Sequence, residues 1–260
     1  MDFACQRSAL AELAMLAKSD RHSIMIEGPA GCGKSYLALQ FAKLIGVSDF
    51  HIVEPTVQAI RDTIDGCYQV GNRVVLCVEN LDKGVAAASY TILKFLEEPA
   101  SNIYIVITCR NMNRVPDTII SRSVCVNAAP PIESDIDEYA KNKDLSKFNQ
   151  VCGSTLWRCV RTFGDADAVL HMNDAQLGYF DTFQKLVSFR EPISSTSWAL
   201  QHYSDNSETP IELVIRYVME ICPSQTIQRA GISCLSDISA GRIASHAAVA
   251  RFVLDCKYLA

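Results

Sequence analysis

Residues 28–35 read Gly28-Pro29-Ala30-Gly31-Cys32-Gly33-Lys34-Ser35, a complete G-x-x-x-x-G-K-S pattern. The apolar run Ser23-Ile24-Met25-Ile26 before it suits a buried strand, and residues 36–44 after it have helical spacing and good helix formers. A strand feeding a helix through such a loop restricts the chain to folds that set a helix N-terminus on the end of a parallel sheet. The glycines let backbone N–H groups converge on phosphate oxygens, and the helix dipole favours negative charge there. Lys34 is placed to reach the β- and γ-phosphates, and the Ser35 hydroxyl to ligate Mg²⁺. A Gly-rich strand–helix turn without a ligand is the alternative. The spacing, the Lys-Ser ending and both flanks favour nucleotide binding over it. Hydrolysis is a separate question.

At 260 residues the chain can bury a sizeable core and form one large domain with one or two smaller ones. Its 49% hydrophobic and 20% charged residues are ordinary for a soluble globular protein. No stretch is apolar and long enough to cross a membrane, and Met1-Asp2-Phe3-Ala4 lacks the layout of a signal peptide. A cytoplasmic protein with no membrane partner is the expectation. The cysteines (Cys5, Cys32, Cys67, Cys77, Cys109, Cys125, Cys152, Cys159, Cys222, Cys234 and Cys256) are odd in number and contain no C-x-x-C pair. Most sit in apolar contexts, as in Leu76-Cys77-Val78, so they read as small core residues in a reducing compartment. The net charge of −5 neither requires nor excludes nucleic acid, since a local basic surface is enough.

Helical periodicity covers residues 4–18, with Leu10, Leu13, Leu16 and Ala17 on one face. After the loop and its helix, Phe50-His51-Ile52-Val53 reads as a short strand and residues 56–70 as a helix. Arg73-Val74-Val75-Leu76-Cys77-Val78 is a continuous apolar run, typical of a central parallel strand buried on both faces. A helix is predicted over residues 84–96, stopping at Pro99, then a buried strand over 102–108. Residues 116–121 form a short helix and Val124-Cys125-Val126 a last strand. Strands alternating with helices imply right-handed crossovers and a doubly wound α/β sheet. The pattern changes at Ala128-Ala129-Pro130-Pro131. Beyond it, residues 132–180 and about 195–260 read as two helical bundles. The second contains a polar loop at Asp205-Asn206-Ser207-Glu208-Thr209-Pro210 and apolar-faced helices at 211–222 and 241–259.

The segment 74–123 narrows the superfamily. Glu79-Asn80-Leu81-Asp82-Lys83 ends one strand, and Leu93-Lys94-Phe95-Leu96-Glu97-Glu98-Pro99 ends the next helix. After Ile105-Val106-Ile107-Thr108-Cys109-Arg110 comes Val115-Pro116-Asp117-Thr118-Ile119-Ile120-Ser121-Arg122-Ser123. In this order and spacing the chain resembles the AAA+ subunits of DNA polymerase clamp loaders, closely over residues 5–130 and only in layout beyond. The resemblance implies an AAA+ nucleotide-binding domain (1–130), a small helical lid (131–185) and an all-helical collar that oligomerises (186–260). It also implies ATP and Mg²⁺ as ligands. Other clamp-loader AAA+ subunits in a pentameric assembly, a sliding clamp and primer–template DNA held without sequence preference are the implied partners.

By the same resemblance, Arg122 is an arginine finger that reaches the γ-phosphate held by a neighbour, with Ser123 where the family usually has Cys. An ordinary surface arginine beside a sheet edge is the alternative. An active subunit carries Asp-Glu where Glu79 and Asn80 fall. Glu79 can still serve Mg²⁺, but the Asn80 amide is no base near neutral pH. In a register shifted by one, Glu79 is the base and the metal carboxylate is missing, so either way one carboxylate is absent. Arg110 counts to the sensor 1 position, where active subunits have Thr or Asn. Both departures point to the delta-prime type rather than gamma/tau, although the phosphate loop is intact. Arg158, two positions from the usual sensor 2 arginine of the lid, is either a phosphate contact or a surface residue, and Trp157 beside it reads as packing. The interval between the loop and the acidic strand holds only Cys67 and Cys77, so no zinc module is expected. The compact length suits a phage or a reduced bacterial replisome. A stand-alone AAA+ motor or helicase-loading ATPase is the competing reading, and it calls for an intact Asp-Glu pair. A third is a structural oligomer subunit whose fold ATP merely locks.

Overall fold

The computed structural model describes residues 3–19, 21–70, 73–84, 86–98, 102–178, 180, 211–222, 224–240, 242, 247, 251, 252 and 255. The chain divides into two compact units, Met1–Ile132 and Glu133–Ala260.

The first unit alternates helices and strands: α1 (Arg7–Leu16), β1 (Ser23–Glu27), α2 (Lys34–Leu44), β2 (Asp49–Val53), α3 (Val57–Val70), β3 (Val74–Val78), α4 (Ala86–Glu97), β4 (Ile103–Cys109), α5 (Asp117–Ile120) and β5 (Val124–Asn127). The strands form one parallel sheet in the order β2-β3-β4-β1-β5. Alternation along each strand divides the core. Ile24, Ile26, Val75, Cys77 and Val106 pack with Leu13 of α1 and Leu37, Ala38 and Phe41 of α2. Met25, Leu76, Val78, Ile105 and Ile107 pack on the other face with Ile60 and Ile64 of α3, Ile92 and Leu96 of α4 and Ile119 of α5. Every residue of β3 and β4 is buried, as their unbroken apolar runs predict. β2 lies at the edge and leaves Ile52 59% exposed, because only one side of it is paired.

Three boundaries differ from the periodicity. The N-terminal helix is preceded by a 3-10 turn, Ala4–Gln6, and ends at Leu16. α2 starts at Lys34, two residues before the apolar stripe, because Gly33 caps it in the left-handed region at φ 94°. α4 starts at Ala86, since Leu81–Lys83 forms a separate 3-10 turn, and it ends at Glu97; Pro99 lies outside the described residues.

The second unit is helical where described: α6 (Glu133–Lys143), α7 (Leu145–Val151), α8 (Thr155–Arg158), α9 (Phe163–His171), α10 (Ile211–Ile221) and α11 (Gln225–Ser239). Its core is continuous from Ile136 and Phe148 through Trp157 and Leu170 to Leu213, Tyr217 and Ile238. α11 sets Ile227, Ala230, Cys234 and Ile238 on one helical face and buries them against α10. The predicted loop at 205–210 lies outside the described residues, as do Val249 and Val253 of the predicted helix at 241–259; Phe252 is buried.

Candidate nucleotide-binding site

The sheet order brings the candidate residues together. β4 lies between β1 and β3, so the phosphate loop, the end of β4 and the acidic turn after β3 share one rim of the sheet. This is the carboxyl edge of parallel strands, where open α/β sheets bind ligands.

The loop sits in a tight seat. Gly28 N–H donates to the Cys109 carbonyl at 3.2 Å, and a Cβ on Gly28 would lie 2.5 Å from the Ala128 carbonyl oxygen. Only glycine fits there. Gly31 and Gly33 take φ of 67° and 94°, which carry the chain past Pro29, Ala30 and Cys32 into α2. The first-turn N–H groups of α2, which follow directly on the loop, have no acceptor within the helix, and no side chain caps them at Gly33. A further residue, not apparent from the motif, fastens the loop from outside. Gln6, fully buried, donates from Nε2 to the Cys32 carbonyl (2.8 Å) and the Ala129 carbonyl (2.9 Å).

Lys34 is 7% exposed, and its Nζ donates to the carbonyls of Gly28 (2.9 Å) and Pro29 (2.7 Å). Burial pulls its pKa below the ordinary lysine value; Arg110 pushes the same way, while Cys32 and Asp82 oppose. A buried ammonium beside a second cation is stabilised by an anion, which is what phosphate oxygens supply. The Ser35 hydroxyl donates to Glu79 Oε1 in a short contact. The loop serine and the acidic turn, 44 residues apart, thus form the paired oxygen donors that a hard divalent cation prefers. A cradle that excludes a Cβ, a helix N-terminus, a buried lysine and this oxygen pair all fit a magnesium-bound nucleotide.

Asn80 follows in the left-handed region, at φ 51° and ψ 49°. Asparagine tolerates that backbone better than most residues. Its N–H donates to Thr108 Oγ1 at 3.0 Å, and the Arg110 N–H donates to Asp82 Oδ1 at 3.1 Å. These two bonds tie the acidic turn to the end of β4. Counting along the chain brings Arg110 to the rim, but the hydroxyl that touches the turn belongs to Thr108, buried two residues earlier in β4. The Nε of Arg110 is buried with no hydrogen-bond partner among the described residues.

Arg122 lies outside this cluster, in the turn after α5. Its Nη1 donates to the Thr118 carbonyl (2.9 Å), and its Nη2 meets Glu97 Oε1 at the end of α4 (2.9 Å). Ser123 shares a 2.8 Å hydroxyl–hydroxyl bond with Ser23 at the start of β1. Arg158 belongs to the second unit, exposed on α8 with its Nη2 on Thr155 Oγ1 at 3.2 Å. Trp157 packs edge-on against Phe148 and donates to Asp137 Oδ1 at 3.0 Å.

A family model described as DNA polymerase III, delta subunit, matches residues 46–131. That span starts after α2, so it covers Glu79, Asn80, Arg110 and Arg122 but not the phosphate loop. DNA polymerase III subunit delta' of Bacillus subtilis (strain 168) is 26% identical over 155 residues, covering 48% of this chain and 47% of that protein. The subunit of the same name from Buchnera aphidicola subsp. Baizongia pistaciae (strain Bp) is 24% identical over 157 residues, covering 60% and 44%. The chain spans about half the length of these relatives. A DNA polymerase III gamma subunit-related protein of Thermotoga maritima has the same fold, with a TM-score of 0.56 at 17% identity, covering 96% of this chain and 98% of that one. The RuvB Holliday junction branch migration motor of Thermotoga maritima reaches a TM-score of 0.51 at 12% identity, covering 89% and 82%. In sequence this chain is similar to delta-prime-type clamp-loader subunits, and in fold to a gamma-related one.

Proposed function

We propose that this chain is a delta-prime-like clamp-loader subunit that binds ATP with Mg²⁺, turns it over poorly in its own pocket, and acts through Arg122 on a neighbour's site. The observation that carries the reading is one sheet rim with an intact phosphate cradle and an amide, Asn80, in place of the base. The loop N–H groups and Lys34 would hold phosphate oxygens, and Ser35 and Glu79, already paired with each other, would hold the metal. When bound, the metal–nucleotide pair supplies a polarised phosphoryl group. The chain's own residues orient it, but Asn80 accepts no proton from water. Arg110 adds positive charge beside Lys34, which favours retention of a triphosphate. Arg158 of α8 is either a phosphate contact or a surface residue of the lid.

In this reading residues 131–185 act as the lid and 186–260 as the collar. The partners are other AAA+ subunits in a pentamer, a sliding clamp and primer–template DNA held by its phosphates. The setting is the cytoplasm, and no zinc module takes part. Among the described residues no helix is long and apolar enough to cross a membrane. The fold alone does not separate this reading from a stand-alone motor, because RuvB shares it. The matched segment 46–131 and the missing carboxylate favour the clamp-loader reading.

The test is ATP hydrolysis by the reconstituted complex with sliding clamp and primed DNA, comparing wild type with Lys34→Ala and Arg122→Ala. Loss with Arg122→Ala alone supports action on a neighbour. Loss with both means that this pocket turns over despite Asn80. Loss with neither leaves a structural subunit.

A further inference from the structure

Nothing in the sequence motif accounts for what holds Arg122. Its guanidinium is fixed by Glu97 Oε1 on one nitrogen and by the Thr118 carbonyl on another, each at 2.9 Å. The two supports come from different helices: Thr118 lies in α5, and Glu97 is the last residue of α4. α4 and α5 pack together through the sheet-face core, where Leu96 and Ile119 are buried. The backbone beside Arg122 is pinned as well, by the Ser123–Ser23 hydroxyl pair and by the Arg122 N–H on the Ile119 carbonyl at 3.1 Å.

The Arg122 and Glu97 side chains are 37% and 54% exposed. An ion pair so open to water adds little to stability. It does restrict rotation of a long side chain that otherwise samples many rotamers. The remaining guanidinium N–H groups stay available to an outside anion, because a guanidinium has more donors than these two contacts use.

Building on the function proposed above, we infer that Glu97 is a positioning residue for Arg122: it holds the guanidinium at the α4–α5 edge, ready for a phosphate presented by a neighbouring subunit. Prior fixing of the side chain lowers the ordering cost when the phosphate is met. Glu97 itself touches no phosphate.

The experiment is steady-state ATP hydrolysis by the reconstituted complex with clamp and primed DNA. It compares wild type, Glu97→Ala, Glu97→Gln, Arg122→Ala and the Glu97→Ala/Arg122→Ala double variant, with thermal melting of each. Glu97→Ala is expected to lower kcat about tenfold with KM for ATP and melting unchanged. Glu97→Gln should recover most of the rate, because the amide oxygen still accepts the Arg122 N–H. On the Arg122→Ala background, Glu97→Ala should cause no further loss. A wild-type rate for Glu97→Ala where Arg122→Ala is defective overturns the inference and leaves the functional reading intact. A rate increase also overturns it and makes Glu97 a restraint instead. An equal loss in both backgrounds, or a fall in melting temperature, assigns Glu97 a structural role. If Arg122→Ala itself changes nothing, the functional reading fails and this inference falls with it.

Discussion

Asn80 is the non-glycine residue with positive φ among the described residues, and under the proposed function it takes the place of a catalytic carboxylate. Asn80→Glu restores the carboxylate at a backbone cost of about 1 kcal/mol. It is expected to raise turnover by the chain's own pocket at least about tenfold. Hydrolysis by the assembled complex, with Lys34→Ala added to cancel the gain, measures this; an unchanged rate means that the acidic turn is not the limiting defect. Gly28 offers a steric test. A methyl group there meets the Ala128 carbonyl at 2.5 Å, so Gly28→Ala is expected to cost about 1–3 kcal/mol in stability and to abolish nucleotide binding. Titration with a fluorescent ATP analogue, alongside a thermal melt, checks both parts. Binding at wild-type strength would show that the loop has room to spare. Of this rim, the sequence motif reveals Lys34, Ser35 and the glycines because their spacing is local. Gln6, Thr108 and Asp82 carry no such signal, since a lone polar residue acquires its role only from what the fold sets beside it.

Between elements, the least legible contact joins α9 to α10. Asp165 closes a capping box with Thr162 at the start of α9 and also takes a two-pronged bond from Arg216 of α10, at 2.9 and 3.0 Å. Arg216 donates further to the Cys159 carbonyl at 3.0 Å. The Asp165 side chain is 4% exposed, so Arg216→Ala strands a buried carboxylate and is expected to cost about 3–5 kcal/mol. A shift of the urea midpoint at neutral pH measures it; a change below about 1 kcal/mol would mean that water reaches Asp165 when Arg216 is gone. The pair spans 51 residues, and no periodicity announces it. Strands β3 and β4 and helix α2 were legible because burial imposes an apolar run or stripe on a short local segment. α11 carries such a stripe too, with Ile227, Ala230, Cys234 and Ile238 at helical spacing and packed against α10.

At the scale of the whole molecule, most cysteines among the described residues behave as core residues. Seven are buried, Cys5 and Cys125 are half-buried, and Cys152 is exposed; none of these is in a disulfide. Burial pushes the Cys109 thiol up to about 12 and the Cys159 thiol up to about 11, from 9.0. A raised pKa keeps the folded thiol protonated while the unfolded one ionises. Their contribution to stability is therefore complete below pH 9 and is lost as pH climbs toward 11 and 12. The urea midpoint is expected to be level between pH 7 and 8 and to fall by pH 10.5, each full pKa unit corresponding to about 1.4 kcal/mol. Serine at both positions should lessen that fall without removing it, because burial also pushes the Cys77 thiol up to about 12; an equally steep decline would place the alkaline weakness elsewhere. Alkylation at pH 7.5, followed by mass spectrometry, is expected to label Cys152 well before Cys109 or Cys159.

The sequence alone determined the features that depend on neighbours along the chain: the phosphate loop between a strand and a helix, the alternation that makes a parallel α/β sheet, and the amide at position 80. Local spacing is enough for these, because backbone conformation and burial act over a few residues. Only the tertiary structure decided which distant groups meet. It set β4 between β1 and β3, joined Ser35 to Glu79, and placed Thr108 against Asn80. It also put Glu97 beside Arg122. Those contacts follow from strand order and helix packing, which arise from the collapse of the whole sheet around its two apolar faces and leave no mark in any single segment.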